Sequence, residues 1–220
     1  MDFNFGIYPV ITDEFCGGRS IIYVLRQVVE AGVKIVQLRQ KNSTKKELYL
    51  LALEFRKITA YHGVKFIIND HLDIAMASGA DGVHLGQDDL PCAAARALAP
   101  DIIIGVSTHN EKEIACAKRD GATYANIGPV FETNTKDLPM KPLGLEYVYR
   151  VSPKIGMPFT VMGGIKKENI ASLAWCGAAA IAMVTEITAA PDIKKRIEEL
   201  NDILRAGRFG DILPHHTVID

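Results

Sequence analysis

The stretch Ser78-Gly79-Ala80-Asp81-Gly82-Val83-His84-Leu85-Gly86-Gln87-Asp88-Asp89 contains a helix end, a short strand and the start of a polar loop. A glycine directly after a helical segment takes positive φ at little cost and caps the helix before the next strand starts. The same joint recurs at Ala31-Gly32-Val33, His62-Gly63-Val64, Asp120-Gly121-Ala122 and Cys176-Gly177-Ala178. Short β-branched runs read as strands at 7–12, 34–38, 65–68, 82–85, 102–106, 124–128, 159–162 and 180–184. Amphipathic stretches at 21–31, 45–61 and 111–120 lie between strands, and 192–204 reads as a helix after the last one. Strands alternating with helical crossovers imply a parallel sheet. Eight such units make a closed single-domain α/β structure, a (β/α)8 TIM barrel, the leading architecture; an open doubly wound sheet is the alternative. These barrels typically take ~250 residues, with ~200 near the lower bound. A chain of 220 residues therefore has little left for a second domain or a large lid. We expect the barrel over 1–205. Residues 206–220, with Gly207, Gly210 and Pro214, fall outside the repeat as a tail or as a contact in a homo-oligomer.

Composition narrows the class further. Hydrophobic residues make up 48% and charged residues 23%, values of a soluble globular chain and too apolar for intrinsic disorder. A formal net charge of -1 gives no global electrostatic reason to expect nucleic acid or an anionic membrane as partner. No apolar run approaches the ~18 residues that span a bilayer, and Met1-Asp2-Phe3-Asn4-Phe5-Gly6 has no secretory-signal pattern. Cys16, Cys92, Cys116 and Cys176 are scattered, without close Cys/His spacing, and read as buried thiols in a reducing cytoplasm.

In such a barrel, reactive groups collect at the C-terminal ends of the strands and in the loops that follow. The second strand ends Gln37-Leu38-Arg39-Gln40-Lys41, and alternation puts Gln37, Arg39 and Lys41 on one side. Two cations there make either an anion site or a solvated strand end. The third ends Asn69-Asp70, which also suits a turn or a helix cap. The fourth is followed by Asp88-Asp89, one of which fits the helix start before Leu90-Pro91. Adjacent loops thus each supply a carboxylate, and a few carboxylates completed by water and substrate phosphates are the usual setting for Mg²⁺. Ser107-Thr108-His109 ends the fifth strand. No oxyanion element accompanies it, so Ser107 reads as a hydrogen-bond donor to an anion, whereas His109 either acts in the site or orients the loop. The sixth leads into Glu132-Thr133-Asn134-Thr135-Lys136, suited to phosphate oxygens through hydroxyls, main-chain N–H groups and a point charge. Gly163-Gly164 after the seventh strand, with Val184-Thr185 after the eighth, matches the phosphate cup common to this architecture. Two anion sites emerge on one mouth. Arg39, Lys41, Lys136 and a metal held by Asp70 and Asp89 suit a diphosphate; Gly164 and the end of strand eight suit a monophosphate. Without a cation the carboxylates would repel the ligand, and a metal-bridged diphosphate removes that conflict.

Seven segments taken in order resemble the thiamine phosphate synthase family over most of the chain, from Tyr8 to about Leu200. They are Tyr8-Pro-Val-Ile-Thr-Asp13, Gln37-Leu-Arg-Gln-Lys41, Asn69-Asp70, Asp81-Gly-Val-His-Leu-Gly-Gln-Asp-Asp89, Gly105-Val-Ser-Thr-His109, Gly128-Pro-Val-Phe-Glu-Thr-Asn-Thr-Lys136 and Gly163-Gly-Ile165. The resemblance implies an enzyme that joins a pyrimidine diphosphate to a thiazole phosphate, giving thiamine phosphate and diphosphate. It implies pyrimidine diphosphate contacts from Gln37, Arg39, Lys41, Asn69, Ser107 and Lys136, with Asp70 and Asp89 as Mg²⁺ ligands. Thr133, Asn134, Thr135, Gly164, Val184 and Thr185 fall on the thiazole phosphate side. Arg39, Lys41, Lys136 and Ser107 would carry the chemistry, with diphosphate leaving first and the thiazole nitrogen capturing the resulting cation.

Gln40 stands where the family usually has an acidic residue, but alternation turns it away from the site. Val184-Thr185-Glu186 replaces a common small Ser-Ala pair, and Glu186 threatens to bring negative charge near a phosphate. Ala178-Ala179-Ala180 lacks the usual acidic and glycine residues. The nearest rival is the related thiazole tautomerase, with His109 as acid/base; it has no use for a carboxylate pair or for Lys136 in its loop. The altered strand-eight end is the one argument for a non-catalytic phosphate-binding paralogue.

Overall fold

The computed structural model describes residues 4–133 and 141–209. The chain runs β1 (Gly6–Ile11), α1 (Ile21–Glu30), β2 (Ile35–Leu38), α2 (Lys45–Tyr61), β3 (Lys65–Asn69), α3 (Leu72–Ser78), β4 (Gly82–Leu85) and α4 (Cys92–Leu98). It continues through β5 (Ile103–Thr108), α5 (Glu111–Arg119), β6 (Tyr124–Ile127), α6 (Gly144–Val151), β7 (Phe159–Met162), β8 (Ala180–Met183), α7 (Thr185–Thr188) and α8 (Ile193–Phe209). Each strand pairs in parallel with the next, and β8 closes on β1 with Ala180 opposite Gly6 and Met183 opposite Pro9. The expected eight-stranded parallel barrel is what forms. All five predicted joint glycines (Gly32, Gly63, Gly79, Gly121 and Gly177) adopt positive φ. Helix starts follow ordinary capping chemistry. Ser20 and Asn110 accept from the backbone N–H groups of Tyr23 and Glu113, and Thr44 with Glu47 closes a reciprocal capping box on α2.

Two details differ from the regular repeat. The crossover after β7 contains a 3₁₀ turn at Ile170–Leu173, while β8 is followed by two helices. The last helix also runs to Phe209, past the expected end at 204, so residues 206–209 are helical rather than part of a tail. Gly207 reads as a stop because of its low helix propensity. Here it permits close packing instead: a Cβ at this position would lie 2.6 Å from Cβ of Ala174, just beyond the 3₁₀ turn.

Strand alternation divides the core. Val36, Leu38, Phe66, Ile68, Val83 and Leu85 face outward into the apolar layer beneath the helices. Tyr8, Val10, Ile35, Ile67, Ile103 and Tyr124 fill the interior together with Ala180 and Ala182. Large and small residues share this interior. Added Cβ atoms would come within 2.6 Å of Ile67 Cδ1 at Gly82 and 2.1 Å of Tyr124 Cζ at Gly105, so both glycines make room for neighbouring large side chains. Cys16 and Cys92 are buried free thiols, Cys176 is also buried, and Cys116 is half-buried. Among the described residues no helix is long and apolar enough to cross a membrane.

Asp81 locks the joint between α3 and β4. Its carboxylate accepts from Arg56 at 2.6 Å, Lys65 at 2.8 Å and the Phe66 backbone N–H at 3.0 Å. Burial pushes the carboxyl up, but the bonds from Lys65, Phe66 and Arg56 outweigh it and hold the group below its ordinary value. A depressed folded-state value contributes stability above the unfolded-state pKa, lost as pH falls through the folded one. Asp81→Asn should therefore cost ~2 kcal/mol at pH 7 in urea unfolding. The variant should also lose less stability than the wild type between pH 5 and pH 3; an unchanged acid slope would remove Asp81 as a source of it.

Candidate functional site

The barrel floor carries polar groups above the apolar layer. Gln37 Nε2 donates to the Tyr8 hydroxyl at 2.9 Å, and the hydroxyls of Tyr8 and Tyr124 are 3.1 Å apart. Tyr124 lies 3.0 Å from His84 Nδ1, and His84 Nε2 lies 3.0 Å from the Ser107 hydroxyl. The ring of Tyr124 stacks on that of His84 and meets that of Tyr8 edge-on. Burial raises the pKa of both phenols, so both stay neutral.

Over this floor opens a central cavity whose polar lining includes Gln37, Arg39, Asn69, Ser107, His109 and Thr133, with Val184 at its edge. Register explains the convergence, because Asn69 pairs with His84 and Ser107 with Asn126 on the inward face. Arg39 is 7% exposed, and its Nε is buried without a hydrogen-bond partner. Burial lowers the guanidinium pKa, while Asp70 and Glu14 act in the opposite direction. Asn126 Oδ1 is likewise buried and unpartnered. A buried guanidinium N–H and a buried amide oxygen that lack partners among the described residues are costly until a polar ligand satisfies them. Lys41 is exposed and lines neither this cavity nor the next. Gln40 is turned away as alternation required, its Oε1 3.4 Å from the backbone nitrogen of Asp13. His109 donates from Nδ1 to the Gly128 carbonyl at 2.6 Å, so it ties the β5 loop to the end of β6 while also facing the cavity.

The two carboxylates leave neighbouring strands, β3 and β4. Asp70 is the one non-glycine residue with positive φ (64°) among the described residues, and its N–H donates to the His84 carbonyl at 2.7 Å. Left-handed backbone is tolerated best by Asn and Asp, and it is a form of strain that gathers at functional sites. Asp89 accepts from the Gly86 N–H at 2.6 Å, which pins its loop. Two hard oxygen ligands fit Mg²⁺, which completes its shell with water and phosphate. The described residues hold no group of three or more His, Cys, Asp or Glu that could make a full protein cage.

A second cavity adjoins the first, lined by Thr133, Gly164, Ile165, Lys166, Val184 and Thr185. Gly163 and Gly164 take φ of 101° and 61°, and a Cβ on Gly164 would sit 2.2 Å from the Glu132 carbonyl oxygen. Only glycine allows that turn. Lys166 was not foreseen from the sequence: its Nζ donates to the Thr185 hydroxyl at 2.8 Å and lies 3.7 Å from Glu186. Glu186 does not face the cavity. It is buried and paired with Arg196 of α8, so the expected conflict with a phosphate is met by two cations. Asn134, Thr135 and Lys136 lie outside the described residues.

The profile of the thiamine monophosphate synthase family matches residues 7–187. The chain belongs to that family. It is 45% identical to a thiamine-phosphate synthase of Pelotomaculum thermopropionicum over 90% of this chain and 91% of that one. Its identity to the corresponding protein of Caldicellulosiruptor bescii is 44%, covering 92% and 93% of the two chains. Among solved structures, a thiamine phosphate pyrophosphorylase from Pyrococcus furiosus superposes with a TM-score of 0.85 at 30% identity, covering 94% of this chain and 98% of the other. Membership in the thiamine monophosphate synthase family agrees with the seven motifs, each of which sends at least one residue to the central cavity, among them Gln37, Arg39, Asn69, Ser107 and Thr133. Tyr8 and His84 stand inside the quoted motifs without an assigned role, and Tyr124, Asn126 and Lys166 lie outside them. The first four follow from inward alternation; Lys166 had no signal, being one of two lysines in a loop.

If Glu186 serves to anchor α7 on α8, Glu186→Gln should lower stability by ~3 kcal/mol, the usual cost of breaking a buried pair. Its effect on KM for either substrate should stay within about threefold. A much larger KM effect with unchanged stability would place Glu186 in the ligand site instead.

Proposed function

We propose that this thiamine-phosphate synthase, a transferase of thiamine biosynthesis, moves an aminopyrimidine methyl group from its diphosphate to a thiazole phosphate with Mg²⁺ as the metal. The observation carrying this reading is the convergence of Gln37, Arg39, Asn69 and Ser107 from three strands on one cavity that Thr133 and Val184 connect to a second. The first cavity suits the pyrimidine diphosphate and the second the thiazole phosphate. Asp70 and Asp89 would hold Mg²⁺, which would neutralise charge growing on the leaving diphosphate. Arg39 supplies a buried guanidinium for diphosphate oxygens, and Lys41 and Lys136 are assigned the same role. Ser107 and Asn69 give neutral hydrogen bonds, and Gln37 orients the pyrimidine. Thr133, Asn134, Thr135, the Gly164 turn, Val184 and Thr185 receive the thiazole phosphate, with Lys166 as a further cation. No nucleophilic side chain is needed. Positioning two small anionic substrates and stabilising the leaving group suffice. Free buried thiols at Cys16 and Cys92 support a reducing cytoplasm as the compartment.

Purified protein given both substrates and Mg²⁺ should form thiamine phosphate and diphosphate in equal amounts. Tautomerisation of a thiazole carboxylate phosphate without any coupling product would sink the reading. Asp89→Ala should reduce turnover at least on the order of 100-fold, partly recovered at higher Mg²⁺. Lys166→Met should raise KM for thiazole phosphate ~10-fold while KM for the pyrimidine diphosphate holds; a change in both would place Lys166 elsewhere.

A further inference from the structure

The floor beneath the central cavity is a chain of hydrogen bonds with a direction, and the direction can be followed from one end. The Gln37 amide nitrogen can only donate, so the Tyr8 oxygen accepts. Tyr8 is wholly buried, and among the described residues its hydroxyl bonds Gln37 and Tyr124, so its proton goes to the Tyr124 oxygen. Tyr124 then has its own proton to place, and His84 Nδ1 at 3.0 Å is an acceptor in position. A neutral His84 accepting at Nδ1 carries its proton on Nε2, aimed at the Ser107 oxygen 3.0 Å away. Ser107 receives that bond and keeps its own proton for the cavity. In the opposite sense Ser107 would spend its proton on His84 and present lone pairs to the ligand.

We propose that Tyr124 is a positioning residue whose hydroxyl holds His84 in the Nε2–H tautomer and thereby makes Ser107 a hydrogen-bond donor to the diphosphate. The inference rests on the reading of Ser107 as a diphosphate contact. It gives a role to a strand residue that lines neither of the two cavities. It also accounts for Gly105, since a Cβ there would come within 2.3 Å of the Tyr124 hydroxyl and 2.6 Å of His84 Nδ1, displacing the central link. A donor at Ser107 matters most as negative charge builds on the departing diphosphate, so the chain's direction should affect turnover more than binding.

Tyr124→Phe deletes the hydroxyl and retains the ring stacked on His84. In ¹⁵N spectra of histidine-labelled wild type, His84 should show an unprotonated Nδ1 and a protonated Nε2. In Tyr124→Phe that pattern should give way to a mixture or to the Nδ1–H form. Turnover should fall ~10-fold with KM for thiazole phosphate unchanged, and in a Ser107→Ala background the same substitution should change turnover less than about twofold. A wild-type His84 protonated on Nδ1, alone or with Nε2, overturns the proposal, and that spectrum decides the point even if Tyr124→Phe does not fold. Equal losses from Tyr124→Phe with and without Ser107 overturn the link to Ser107. If Ser107→Ala by itself leaves turnover intact, the assignment of Ser107 to the diphosphate falls, whereas the spectrum still reports the direction of the chain.

Discussion

Closure of β8 onto β1 in parallel register is the constraint on which the other features depend. Once all eight strands point the same way round a closed ring, every inward side chain near their C-terminal ends must share one small mouth. Gln37, Asn69, Ser107 and Asn126 are distant in sequence and become neighbours through this closure. The same geometry places the carboxylates of Asp70 and Asp89 on consecutive loops, because Asn69 and His84 are paired across adjacent strands.

The interior changes character along the barrel axis. Lower down it is filled by Ile35, Ile67, Ile103 and the small residues opposite them; nearer the mouth the same inward positions turn polar. A polar layer buried on an apolar one tolerates few unmade hydrogen bonds. The Gln37–Tyr8–Tyr124–His84–Ser107 chain meets that requirement internally, while Arg39 Nε and Asn126 Oδ1 remain without partners at the rim. Arg39 and Asn126 both line the central cavity, where a polar ligand would satisfy them.

Charge is handled by neighbourhood rather than by total. A net charge of -1 conceals Arg39 close to Asp70, Lys166 between Thr185 and Glu186, and Glu186 itself turned to Arg196. The residue that departs most from the family's usual strand-eight end is thus compensated from α8 and from the β7 loop. This partner could not be inferred from sequence, because Arg196 lies ten positions away, beyond the turn between α7 and α8.

The sequence by itself determined the architecture and several of the polar residues now seen at the central cavity. Strand periodicity, glycine joints and the rule that chemistry sits at strand ends are local or periodic features, and locality is what a sequence displays directly. Gln37, Arg39, Asn69 and Ser107 were legible for that reason. Only the tertiary structure decided that Lys41 stays in solvent, that Glu186 faces away from the cavity, that Gly207 packs inside a helix, and that Tyr8, Tyr124 and His84 join into one chain. Each of these depends on which side chains from distant segments come within hydrogen-bonding or van der Waals distance, and that proximity exists only after the barrel closes.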